Sequence, residues 1–172
     1  MSDWHQLANK IATIRTTTGR TQTQFAYDIT RKTHCPVSRG TLIRWESGAT
    51  VPRLQPLIAI AQLGVTSLDD LLAPTPQLSS NRSPEFTLEI DTATDNLSAK
   101  IDQIKNHPAD RSISEFTRAV QTDFHYHISG TRMGYWLKGT HLPNITSLYP
   151  LAHMGGITVD ELLAHPYPLD LA

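Results

Sequence analysis

The segment Arg20 to Ala73 recurs, at a shift of 91 residues and without a gap, as Arg111 to Ala164. Phe25 falls on Phe116, His34 on His125, Ser38 on Ser129, Trp45 on Trp136, Gly48 on Gly139 and Pro52 on Pro143. Leu57, Ala61 and Gly64 fall on Leu148, Ala152 and Gly155. The two segments close on nearly the same string, Asp69-Asp70-Leu71-Leu72-Ala73 and Asp160-Glu161-Leu162-Leu163-Ala164. About 14 identities fall in these 54 pairs, where about three or four are expected by chance. The repeat constrains the fold more than any local pattern does: 172 residues are enough for two small domains, and the chain is expected to make one small unit twice.

Each copy reads as five helices, so the expected class is all-α. The first helix is predicted from about Asp3 to Thr18, with Trp4, Leu7, Ala8, Ile11 and Ile14 at helical spacing and Gly19 as its stop. Thr21 is a good N-cap for a second helix that turns Phe25, Ala26 and Ile29 inward. After a turn through Cys35-Pro36, a third helix starts at the Ser38 cap and ends near Gly48, a residue suited to a left-handed C-terminal position. Pro52 precedes a fourth helix with a buried face of Leu54, Leu57, Ile58, Ile60 and Ala61; a short fifth runs from Ser67 to Leu72 with Asp69 and Asp70 in its first turn. The expected division is a first domain over 1–75, a linker over 76–96 and a second domain over 97–172. The linker is rich in Pro, Ser, Thr and Asn, but Phe86-Thr87-Leu88-Glu89-Ile90 alternates apolar and polar. It is either a short β-strand, which needs a partner such as its copy in a second subunit, or an extended linker.

The charge is divided unevenly. Residues 1–75 carry eight Lys/Arg and five Asp/Glu, hence +3, and residues 76–172 carry seven and eleven, hence −4; the sum is the net −1 of the whole chain. The first copy is thus the better suited to meet phosphates. The longest apolar run, Leu57 to Val65, contains Gln62 and falls far short of the ~18 residues a membrane span requires. The N-terminal Met-Ser-Asp-Trp-His-Gln lacks the basic and apolar regions of a signal peptide. The one cysteine, Cys35, has no intramolecular partner, and a cytoplasmic location is expected.

The run Thr21-Gln22-x-x-Phe25-Ala26, then Val37-Ser38-Arg39-Gly40-Thr41-Leu42-Ile43-Arg44-Trp45-Glu46-Ser47-Gly48, then Pro52, Leu57, Ala61, Gly64-Val65 and Leu68-Asp69-Asp70-Leu71-Leu72, resembles the Xre family. These are the helix-turn-helix domains of phage Cro and repressor proteins. The resemblance covers residues 3–73 well and 98–164 more faintly. It implies two tandem repressor-like helix-turn-helix domains, double-stranded DNA as partner and the third helix as the one that enters the major groove. It also implies that the positions of Arg39, Gly40 and Arg44 face base edges, that Gln22 contacts the backbone beside them, and that Arg15 pairs with Glu46 to hold the first helix to the third. The residues agree with that reading. Leu42 and Trp45, with Thr41, form an inward stripe, and Arg39, Gly40, Ile43, Arg44 and Ser47 an outward one. Arginine reads guanine by bidentate bonds, and Ser38 and Ser47 suit phosphates. The contact set expected is therefore Gln22, Ser38, Arg39, Gly40, Thr41, Ile43, Arg44 and Ser47. From Ala26 to Val37 the chain has about six residues more than a short-turn member of the family, so the second helix is longer or the turn is a loop.

The second copy has changed its outward face. Gly130 stands for Arg39, Thr131 for Gly40, Tyr135 for Arg44 and Leu137 for Glu46, and Asn106 for Arg15 to within one residue. Arg132 and Lys138 remain as accessory phosphate contacts, and Tyr135, Leu137 and Tyr149 offer apolar surface for dimerisation or for a protein partner. The leading expectation is a transcriptional regulator, a repressor by resemblance, acting as a homodimer. Two alternatives stand beside it: both domains of one chain on two half-sites, or a protein-binding inhibitor of antitoxin type whose first domain autoregulates. His125-x-His127 has a spacing that begins a metal site, but no Cys or acidic pair completes it. No metal, cofactor or enzymatic chemistry is expected, because no phosphate loop, nucleophile–base order or paired-carboxylate pattern stands out.

Overall fold

The structure, a computed structural model, describes residues 4–78 and 88–171, the Trp4 side chain excepted. It is all-helical among those residues. The helices are α1 (Trp4–Thr17), α2 (Gln22–Thr33), α3 (Arg39–Glu46), α4 (Leu54–Gly64), α5 (Leu68–Leu72), α6 (Leu97–Lys105), α7 (Ile113–Phe124), α8 (Gly130–Leu137), α9 (Ile145–Met154) and α10 (Val159–Ala164). The chain divides into two compact units, Met1–Asp91 and Thr92–Ala172, so the boundary lies inside the segment expected to be a linker. No helix among the described residues is long and apolar enough to cross a membrane.

In the first unit, α1 and α2 both pack on α3 and on α4, and α5 packs on α1 and α4. In the second, α6 and α7 pack on α8 and α9, and α10 packs on α6 and α9, so each contact of the first unit has its counterpart. The start signals repeat too. Thr21 and Ser112 close capping boxes with Gln24 and Glu115; Ser38 and Ser129 accept from the Thr41 and Arg132 amides; Ser67 and Thr158 accept from those of Asp70 and Glu161. Each cap satisfies an amide that the first helical turn leaves without a partner.

The extra residues between Ala26 and Val37 are accounted for by a three-turn α2 that ends on His34, in the left-handed conformation at φ 55°, and by a short loop to Ser38. The second unit ends α7 in the same way on His125. The apolar stripe expected on α4 is wider than the spacing predicts. Leu54 is half-buried, while every residue from Pro56 to Ala61, Ala59 included, is buried, because α1, α2 and α5 all lie against this helix.

A one-residue shift relates α1 to α6. Gly64 sits against Ile14, its α-carbon so close that an added Cβ would lie 2.8 Å from the Ile14 side chain, and Gly155 sits in the same way against Ile104. Lys10 and Lys100 occupy equivalent places as well. The Lys10 ammonium donates to the carbonyls of Asp70, Leu71 and Ala73 at 2.5, 3.4 and 3.0 Å, and Lys100 donates to Leu162 at 2.9 Å. These bonds serve carbonyls at the ends of α5 and α10 that have no intrahelical donor. Burial lowers the pKa of both lysines, against the opposing pull of Asp70 and Asp69 on Lys10 and of Asp95 on Lys100. The shift within these helices is 90 residues, so Lys105, not Asn106, is the counterpart of Arg15. The extra residue of the second unit lies between Lys105 and Arg111.

Of the two alternatives for this segment, a strand or a linker, Leu88, Glu89 and Ile90 do not take the strand; Phe86-Thr87, like Asp3, lies outside the described residues. Leu88 is buried, and its carbonyl accepts from Gln62 Nε2 at 3.0 Å. A side chain of α4 thus does for this backbone group what a partner strand would have done.

Val65 caps α4 with a left-handed backbone, φ 50° and ψ 45°, and is exposed. A β-branched residue is strained there. At the matching place the second unit has Gly156, at φ 72°. Val65→Gly is expected to raise the stability of the first unit by about 1 kcal/mol, read as an increase in slowest-exchanging amide protection of α4; unchanged or lower protection would show that the Val65 backbone carries no strain.

Candidate functional site

At about 100° of turn per residue, Arg39, Ile43, Ser47, Gly40 and Arg44 fall within one arc of about 140° on α3. All five are exposed. On the opposite side Leu42 is fully buried and Trp45 is 6% exposed, as the inward stripe predicts. Thr41 lies at the border and is half-buried. Neither the Arg39 nor the Arg44 guanidinium has an ion-pair or hydrogen-bond partner among the described residues, so both are at liberty to meet a ligand.

The other polar members of the expected contact set are engaged within the unit. Ser38 Oγ accepts from the Thr41 amide at 3.1 Å and lies 3.0 Å from Thr41 Oγ1. Ser47 Oγ donates to the Arg44 carbonyl at 3.1 Å. Gln22 Nε2 donates to Glu46 Oε2 at 2.9 Å. That last bond was not legible from the residues, since twenty-four positions separate the pair.

Beneath this face the charges are locked. Arg15 Nε donates to Glu46 Oε1 at 2.5 Å, and a terminal nitrogen reaches Oε2 at 3.4 Å. The side chains are 18% and 9% exposed. Arg15 also donates to the Arg20 carbonyl at 3.1 Å. One carboxylate therefore ties α1, the start of α2 and the end of α3 together. The arrangement leaves a rigid helix whose free cations all point outward, with its own carboxylate neutralised on the inner flank.

In the second unit the equivalent arc of α8 holds Gly130, Gly134, Lys138, Thr131 and Tyr135, with Arg132 on its flank at the place of Thr41. Met133 and Trp136 are buried. Lys105 keeps the contact that Arg15 makes to its own loop, donating to the Arg111 carbonyl at 2.8 Å. Its remaining partners are Asn106, with Asp102 and Asp110 at 3.9 and 3.5 Å. Gapless comparison, with Asn106 for Arg15 and Leu137 for Glu46, predicts that both ends of the clamp are lost in this copy. Only the carboxylate end is lost, to Leu137; the cation persists as lysine and turns to its own loop. Asn106 is instead the exposed cap of α6. Tyr135 and Leu142 are exposed, whereas Leu137 is half-buried and Tyr149 stacks on His153 at 4.2 Å between ring centroids. Of the three residues expected to give this unit apolar surface, Tyr135 does so, and Leu142 joins it in place of Leu137 and Tyr149.

No group of three or more His, Cys, Asp or Glu side chains among the described residues is placed to hold a metal ion. Cys35 is half-buried, its sulfur 3.4 Å from Gln55 Oε1. Set against known proteins, the chain matches no family model, no curated protein and no solved structure.

Proposed function

We propose that this chain is a sequence-specific DNA-binding transcriptional regulator of the Xre type, built from two tandem helix-turn-helix domains, in which α3 enters the major groove. The single observation that supports it best is the division of α3: Leu42 and Trp45 buried, Arg39 and Arg44 outward and unpaired, on a helix fastened by Arg15, Gln22 and Glu46. A helix seated on its own domain by one face and free on the other is what major-groove docking requires. Arg39 and Arg44 read base edges, Gly40 allows close approach, Ile43 offers an apolar contact of the kind a thymine methyl accepts, and Ser38, Ser47 and Gln22 face the sugar–phosphate backbone. One short helix reads only a few base pairs, so the working unit in this reading is a homodimer on two half-sites about one turn apart.

The test begins with selection of bound duplexes from a random pool by the full chain. On the selected site, Arg39→Ala or Arg44→Ala is expected to cost about 1–3 kcal/mol and to relax the preference at one base position. A loss that is equal on all sequences reduces both arginines to phosphate contacts, and the absence of any enriched sequence overturns the reading.

A further inference from the structure

The second unit contains a long acid-free stretch of chain that includes the whole of α8. From Phe124 to Val159 there is no Asp or Glu, while Arg132 and Lys138 lie within that stretch with four histidines. The acidic surplus of the second half therefore lies elsewhere in it, on the segment before α6, on α6, α7 and the loop between them, and from Asp160 onward. The acidic residue of the first turn of α7, Glu115, is turned onto its own cap, 2.8 Å from the Ser112 amide and 2.6 Å from its hydroxyl. Net charge thus gives a misleading picture of α8. Two exposed cations, Arg132 on its flank and Lys138 at its C-cap, match in number the Arg39 and Arg44 of α3, and the place of Glu46 holds Leu137.

The α8 face is shaped. Ser129, Thr131, Arg132, Tyr135, His141 and Asn144, with the apolar side chains of Trp136 and Leu142, line a shallow cleft of about 300 Å³ between α8 and the loop to α9. Tyr135 is 47% exposed and the His141 ring is 5.0 Å from it, centroid to centroid. The polar groups of the cleft, hydroxyl, amide, guanidinium and phenol with no acid among them, match a sugar–phosphate backbone, and Leu142 beside them fits the apolar face of a sugar. They do not match a second copy of the same face, which would set Arg132 and Lys138 against like charges.

We infer that the α8 face of the second unit is a second duplex-DNA contact surface, on which Arg132 and Lys138 take phosphates and Tyr135, supported by His141, lies against the groove wall. It rests on the reading of the chain as a DNA-binding protein and deepens it. Gly130 and Gly134 present no side chain to a base edge, so this face adds affinity and register with little sequence preference.

The experiment titrates the full chain with its selected duplex and with random duplex over a range of salt. Replacing Arg132 and Lys138 together by Ala is expected to reduce the slope of log K against log salt by about two, since each phosphate contact accounts for about 0.9. Binding should weaken by roughly the same factor on both duplexes, with the preference between them unchanged. Tyr135→Ala should weaken both again without changing the slope, and the charge-keeping pair Arg132→Lys with Lys138→Arg should keep the slope. Arg39→Ala, in contrast, should change the preference between duplexes. An unchanged slope in the Arg132→Ala, Lys138→Ala chain overturns the inference, leaves the α3 reading standing and points to a protein as the occupant of the cleft. A starting chain that binds neither duplex overturns both.

Discussion

Trp45→Ala is expected to lower the stability of the first unit by about 3–5 kcal/mol, and Trp136→Ala that of the second by a similar amount. The indole of each sits at the matched place of its copy, 6% and 2% exposed, on the side of its helix opposite the outward arc. Truncation removes the transfer free energy of the ring and leaves a cavity that α1 and α2, or α6 and α7, can fill only in part. A loss of that size is a large share of the few kcal/mol that keep a domain of about 75 residues folded. Two units in one chain need not unfold together, so a single midpoint is the wrong observable. Residue-resolved amide exchange is the right one: Trp45→Ala should collapse protection in α1 to α5, and Trp136→Ala in α6 to α10. Tyr135→Ala, on an exposed ring, should shift neither by more than about 0.5 kcal/mol. A Trp45→Ala chain that keeps its α2 and α4 protection while losing affinity for a nucleic acid would place the indole on the ligand side instead.

The parts of this structure that were legible in the sequence are those written in local code. Caps such as Thr21, Ser38 and Ser67 and the stops at Gly19 and Gly48 act within a turn of themselves, and the inward placement of Leu42 and Trp45 follows from helical periodicity. The repeat extended these signals to the second half. What stayed hidden depends on contacts distant in sequence. Gln22 reads as a free amide until α3 is laid beside α2 and its partner Glu46 comes within 2.9 Å. Nothing near Lys10 in the sequence shows that α5 ends against it. Its burial is the price of serving three carbonyls at once. The counterpart of Arg15 in the second unit is hidden because gapless comparison fails at one inserted residue between Lys105 and Arg111. The packing of Ile14 on Gly64 and of Ile104 on Gly155 fixes the shift that the letters alone left open. Leu88 alternates as a strand residue would, but alternation reports only that one side is covered; here the cover is α4 and its Gln62.

The clamp under α3 offers the second large effect, and it is best read as a cycle. Arg15→Met removes the guanidinium and leaves Glu46, 9% exposed, with the Gln22 amide as its remaining side-chain hydrogen-bond donor among the described residues. A mostly buried carboxylate stripped of its counter-charge costs about 3–5 kcal/mol, so the first unit should lose close to the lower end of that range, since Gln22 stays. Glu46→Leu, which copies Leu137, strands the guanidinium instead; Arg15 keeps its bond to the Arg20 carbonyl and a more exposed side chain, so the loss should be smaller. The double change Arg15→Met, Glu46→Leu removes both charges, and replacing a whole buried pair by apolar groups is often close to neutral. It should therefore be more stable than Arg15→Met alone, with a coupling energy of at least about 1.5 kcal/mol in amide protection of α1 and α3. The second unit is the natural precedent for such a replacement: it folds around Leu137 with Lys105 turned to its own loop. Single losses that simply add in the double variant would mean that Arg15 and Glu46 are solvated independently, and that α3 is held by Leu42 and Trp45 alone.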